Sequence, residues 1–138
     1  MSLISVYRPP NGDLMDAWNK LNSVIEDMGR NDIIFICGDL NVDLLNPNGS
    51  ECQLIDLFLS SAFSPLINLP TRIANSSSKC IDHLWTNSLG SFMSGVIPHE
   101  ITDHFAVLIF CPIISDRELI TIKFHDCSPG IYQILSEN

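Results

Sequence analysis

A layered α/β fold with a mixed sheet is what the 138-residue chain predicts, on three observations. The run DIIFIC, Asp32 to Cys37, is almost wholly apolar, as a strand buried on both faces must be. Two helical patterns lie on either side of it, each with a capping residue at its start. After Pro65 the texture changes to short β-rich segments separated by loops of Ser, Asn and Gly.

The length supports one ordinary domain with a single core, and 46% apolar residues are enough to build it. No apolar run approaches the roughly 18 residues of a membrane span, and Met1 to Ile4 leads straight into a strand pattern without a charged leader. The chain therefore reads as neither secreted nor membrane-inserted. Its five cysteines are odd in number, scattered and never in C-x-x-C spacing, so they read as reduced thiols of an intracellular protein, nuclear or cytoplasmic. A zinc site is not expected. The net charge of -9 repels a polyanion such as DNA and attracts divalent cations, which weighs against any nucleic-acid partner.

The elements follow in order. LISVY, Leu3 to Tyr7, is a β-rich run stopped by Pro9 and Pro10, which bring no N–H to a ladder. Leu14, Trp18, Leu21, Ile25 and Met28 recur at helical spacing, with Asp13 at the start and Gly29 past the end. The buried strand DIIFIC comes next. Ser50 and Gln53 fit an S-x-x-Q capping box that opens a second helix running to about Ser61. LINL, CIDHLWT, SGVIP and HFAVLIFC are the short strands beyond Pro65. Residues 114–138 are more polar, with a possible strand LITIKF and a weak terminal helix, and read as a linker-like tail to a domain over 1–113.

Polar residues punctuate the strand ends. Asp39 and Asn41 follow DIIFIC, Asp82 and His83 interrupt CIDHLWT, Asp103 and His104 precede the last strand, and Tyr7 ends the first. Each alone has a plain structural reading, as a turn cap or a neighbour's partner. Taken together they leave several strand ends of an α/β sheet, where ligand sites gather. Chemistry at a phosphate needs such a set: carboxylates for Mg²⁺, an orienter for the attacking water and donors for developing charge.

VYRPP, GDLNVD, the spaced TR and IDHLW, and ITDHFAVL, in this order, resemble the endonuclease/exonuclease/phosphatase superfamily, and most of all the apurinic-type endonuclease domain of non-LTR retrotransposons. The resemblance covers roughly residues 3 to 113. It implies a four-layered α/β sandwich with mixed, largely antiparallel sheets and metal-dependent phosphodiester cleavage in DNA. It makes Asp39 the group that orients and deprotonates the attacking water, and Asn41 a partner for the phosphate and for Asp39. His104 would touch the scissile phosphate while Asp82 takes its other ring proton; Asp103 would serve Mg²⁺ (or Mn²⁺), directly or through water, and Tyr7 would donate its phenol. His83 receives no role and reads as an opposite-face strand residue whose loss is mild for turnover.

The family pattern also puts a strand carrying an asparagine, and another ending in a glutamate that is the principal metal ligand, ahead of the tyrosine motif. This chain starts just before the tyrosine, and Glu26, Glu51 and Glu100 follow no strand that would let them stand in. The expectation is a partial, N-terminally truncated sandwich with weakened Mg²⁺ binding, little intrinsic activity and uncovered edges prone to self-association. A phosphatase or lipid phosphodiesterase of the same superfamily is the alternative enzyme, and a non-catalytic remnant that binds a partner the alternative outside catalysis.

Overall fold

The computed structural model describes residues 1–29, 32–74 and 76–111. Its central sheet has four strands in the order β1-β2-β6-β3: β1 (Ser2–Ser5), β2 (Ile34–Asp39), β6 (Asp82–Thr86) and β3 (Ser64–Pro65). β1 runs parallel to β2, while β6 is antiparallel to both β2 and β3, so the sheet is mixed as expected. Two hairpins complete the strands among the described residues, β4 (Arg72–Ala74) with β5 (Ser77–Lys79), and β7 (Met93–Ile97) with β8 (Ala106–Phe110).

Strand alternation distributes the side chains between two cores. Ile4, Ile34, Ile36 and Trp85 face α1 (Leu14–Glu26) and α2 (Gly49–Ser60), meeting Trp18, Leu21, Leu54 and Phe58. Phe58 stacks on Trp85 at 4.5 Å and meets Trp18 edge-on at 5.1 Å, which packs both helices on the same spot of the sheet. Leu3, Cys37 and Leu84 face the other way, onto Val96, Val107 and Ile109 of the β7–β8 hairpin. The described residues thus form three layers, helix on sheet on sheet, with two distinct apolar seams.

The first helix has the cap the sequence foretells: Asp13 accepts from Asp16 N at 2.7 Å. The second starts earlier than expected. Its capping box is Asn48 with Glu51, not Ser50 with Gln53: Asn48 Oδ1 accepts from Ser50 N and Glu51 N, and Glu51 Oε2 accepts from Asn48 N at 2.7 Å. Asn48 is as good a cap as serine, so two overlapping boxes competed and the upstream one formed. LINL is not a strand. Only Ser64–Pro65 and a single bond from Leu66 N to Leu84 O follow β6 before the chain leaves the edge, and Ile67 turns into the second core. The β4–β5 hairpin has no counterpart in the sequence reading. The strand LITIKF and the terminal helix, together with Cys127, lie outside the described residues.

Candidate functional site

The ends of β2 and β6 meet at Asp39 and Asp82, which stand directly opposite each other in the ladder. On β6, Trp85 and His83 point to the helices, so Leu84 and Asp82 point to the second sheet. Asp39 shares that face with Cys37, two residues before it. His104, just ahead of β8, comes down from the second sheet onto them. Its Nδ1 lies 3.0 and 3.1 Å from the two carboxylate oxygens of Asp82. One ligand atom each from Asp39, Asp82 and His104 falls within 4.8 Å of the others.

Asp82 is held from behind by a buried threonine. Thr71 Oγ1 accepts from Ile81 N at 3.1 Å and from Asp82 N at 2.9 Å. The main chain of the same segment holds the histidine: Thr71 O accepts from Phe105 N, Ile73 N donates to Asp103 O, and Arg72 bridges to His104. Thr102 closes the turn, its Oγ1 donating to His104 O and accepting from His104 N. Thus the T-R and T-D-H stretches, 31 positions apart, are zipped together to deliver one imidazole.

The Asp39 loop depends on two special backbone positions. Gly38 has φ +140°, and a Cβ there would sit 1.8 Å from Val6 O, because β1 continues past its last strand residue through Val6 N to Cys37 O and Arg8 N to Asp39 O. Asn41 is left-handed at φ 48°, a conformation asparagine tolerates better than most. Its amide N–H caps Asp39 Oδ1 at 2.9 Å, and its side-chain amide donates to Arg8 O at 2.8 Å. Tyr7 lies between the two backbone bonds that pin this segment, half exposed, with Val6 before it facing the helices.

The sequence reading passed over Arg8. It is 5% exposed and gives Nε to Leu40 O at 2.6 Å, Nη2 to Asn41 O at 2.7 Å, and Nη1 to Gly12 O at 2.6 Å and Pro10 O at 3.5 Å. Its only advance signal was an arginine between an apolar strand and two prolines. Asp43 was also passed over; it is buried, and its Oδ1 accepts from Leu45 N and Cys80 N, both at 3.1 Å.

Burial raises the Asp39 carboxyl above its ordinary value; the amide of Asn41 opposes this, Asp82 adds to it, and His104 and Arg72 oppose it. Asp103 is not in the cluster. Its Oδ2 pairs with Arg72 Nε at 2.6 Å on the surface, a bond that holds its carboxyl below the usual range. His83 lies on the opposite face from Asp82, as expected. It is buried on the helix side, where Nε2–H donates to Val42 O at 2.7 Å and Nδ1 accepts from Trp85 Nε1 at 3.1 Å. Burial drives it down to about 4, so it is a neutral structural histidine that satisfies two buried partners.

The donor set suits a hard divalent cation: two facing carboxylates share one end of a ladder, and bringing a cation between them would relieve a like-charge pair. No described helix is long and apolar enough to cross a membrane.

The family model described as endonuclease-reverse transcriptase matches residues 1–108. Among solved structures the chain is similar to the endonuclease domain of TRAS1, a telomere-specific non-LTR retrotransposon, with a TM-score of 0.72 and 16% identity over 82% of this chain and 58% of that one. It is also similar to an endonuclease/exonuclease/phosphatase family protein from Leptotrichia buccalis C-1013-b, with a TM-score of 0.50 and 16% identity over 65% of this chain and 40% of that one. The chain thus spans less than two thirds of each of these two structures, and at these identities the likeness is one of fold. No curated protein matched its sequence. A family model that matches residues 1–108, and with them every residue of the carboxylate–imidazole cluster, leaves one conclusion: this chain belongs to the endonuclease-reverse transcriptase family of the endonuclease/exonuclease/phosphatase superfamily.

Proposed function

We propose that the chain carries the water-activating and phosphate-contacting part of a divalent-metal-dependent endonuclease that cleaves phosphodiesters in DNA. The observation that carries this reading is the Asp39–Asp82–His104 cluster, in which two carboxylates and an imidazole from three strand ends converge within 4.8 Å.

Asp39 keeps Oδ1 on the Asn41 amide, which leaves its other oxygen to orient and deprotonate a water. Asp82 faces His104 Nδ1 with both oxygens, which fixes Nδ1–H as donor and leaves Nε2 for a phosphate oxygen. Tyr7, half exposed beside the Asp39 loop, is the phenol available to the same phosphate, and Asn41 fixes the carboxylate's angle. Mg²⁺ (or Mn²⁺) would be held by the Asp39 and Asp82 carboxylates, with Asp103 contributing through water, and supplies Lewis-acid stabilisation of the charge that develops on the phosphate. Two carboxylates are few for an ion that wants six oxygens, and no glutamate joins the cluster among the described residues. Binding is therefore weak and turnover slow.

A second reading, a phosphatase or lipid phosphodiesterase, is favoured by the net charge of -9, which suits a small phosphoester better than a DNA duplex. Nicking of supercoiled plasmid beside hydrolysis of a small phosphoester, each with Mg²⁺ and with chelator, separates them. Metal-dependent nicking alone supports the endonuclease; activity on the small ester alone supports the alternative; activity on neither leaves a non-catalytic remnant.

A further inference from the structure

We propose that Arg8 is a positioning residue for this site, a buried guanidinium that fixes the turn after β2 and so sets the Asp39 carboxylate opposite Asp82; the inference rests on the functional reading given above. A guanidinium that is 5% exposed normally answers a carboxylate, yet every hydrogen bond of the Arg8 guanidinium among the described residues goes to a backbone carbonyl. Its fork spans two loops. Nη1 holds Gly12 and Pro10 in the turn before α1, while Nε and Nη2 hold Leu40 and Asn41, the two residues that follow Asp39. The return contacts close the loop: Arg8 N donates to Asp39 O at 2.9 Å, and Asn41 Nδ2 donates to Arg8 O at 2.8 Å.

The placement follows from strand parity. Val6 and Arg8 lie on the helix side of β1's continuation, and Tyr7 lies on the side of the cluster. Arg8 therefore grips the Asp39 loop from behind while leaving its front face to substrate. What it grips is a conformation that needs gripping. Asn41 sits at φ 48°, and the carbonyls of Leu40 and Asn41 are both taken by the Arg8 guanidinium. Lysine has no planar fork and could reach only part of this set.

The experiment compares wild type with Arg8→Lys, Arg8→Met and Val24→Ala, the last a truncation in α1 remote from the loop that matches a general loss of stability. Two quantities are read: the dissociation constant for Mn²⁺ and the amide exchange rates of Leu40 and Asn41 relative to those of β6. The expected result is Mn²⁺ affinity lower by about tenfold or more in both Arg8 variants, as for other residues that orient metal ligands, with Asn41 exchanging faster while the β6 amides do not. In Val24→Ala both quantities move only in step with global stability. If Arg8→Met does not fold, Arg8→Lys decides. Arg8 variants whose Asn41 exchange changes no more than that of β6 overturn the proposal. Should wild type bind no Mn²⁺, the metal reading of the cluster fails, and the exchange rates alone still judge the clamp.

Discussion

Asp39 and Asp82 face each other across the β2–β6 ladder as a directly opposed pair of carboxylates. A sheet selected for stability alone would not put like charges there, since cross-strand neighbours of one sign repel. On the proposed function, the pair is where the fold would give up stability for chemistry.

Asp39→Asn should therefore stabilise the fold. The folded-state carboxyl is raised above the ordinary 3.8, chiefly by burial, with Asp82 contributing. Just above that pH the folded state binds more protons than the unfolded one, so stability falls as pH rises through the window. The variant keeps an acceptor for the Asn41 amide and should gain about 0.5–1 kcal/mol at neutral pH, a gain that fades below pH 3.8. Denaturant titrations across pH measure it.

His83 works in the opposite sense. Its folded value is about 4 against an ordinary 6.5, so the unfolded state binds the extra proton and stability is lost as pH falls from 6.5 to 4. His83→Leu removes that dependence but leaves Val42 O and Trp85 Nε1–H buried without partners, a cost of about 2–4 kcal/mol at neutral pH. The gap between wild type and variant should narrow as pH falls through this range, read by the same titrations.

Gly38→Ala tests the close approach of β1 to the end of β2. A methyl 1.8 Å from Val6 O, at a φ of +140°, forces the two chains apart and should cost about 3 kcal/mol or more. Thermal melting reads the loss. A variant that melts with wild type would show that β1 does not continue beside Asp39.

The cysteines should divide by burial. Cys80 is pushed up to about 12, first by burial and then by Asp43 and Asp82, and burial raises Cys37 as well, whereas Cys52 is exposed on α2. Iodoacetamide on the native protein followed by mass spectrometry should label Cys52 and leave Cys37 and Cys80 unmodified until the chain is unfolded.

The sequence was most legible where one physical period dominated. DIIFIC and the Trp18–Leu21 helical face are apolar at the spacing their element requires, and both formed. LINL had the composition of a strand but sits between Pro65 and Pro70 at a sheet edge, where tertiary position overrode composition. The approach of Asp82 to His104 was legible only through the family resemblance, and the chain brings the two within 3.0 Å. What separates Asp82 from His83 is parity along β6, which sends the second into the helix-side core. That His83 is buried could have been read from the apolar run around it; that it satisfies Val42 O could not, because the partner is 41 positions away. Arg8 and Asp103 illustrate the same limit. Neither residue type announces whether it will meet a carbonyl, a neighbouring side chain or a ligand, and the partners that decide lie 31 to 33 positions distant.

The central claim, that Asp39, Asp82 and His104 form one metal-dependent phosphodiester-cleaving site, is tested most directly by plasmid nicking at protein in excess over DNA. Wild type, Asp39→Asn and His104→Ala are compared in Mg²⁺, in Mn²⁺ and in chelator. The account predicts slow nicking by wild type in either metal, none in chelator, and a drop of about a hundredfold or more in both variants, since one loses the proton acceptor and the other the phosphate contact. Nicking that persists in chelator, that survives both substitutions, or that never rises above the chelated control in wild type would contradict it.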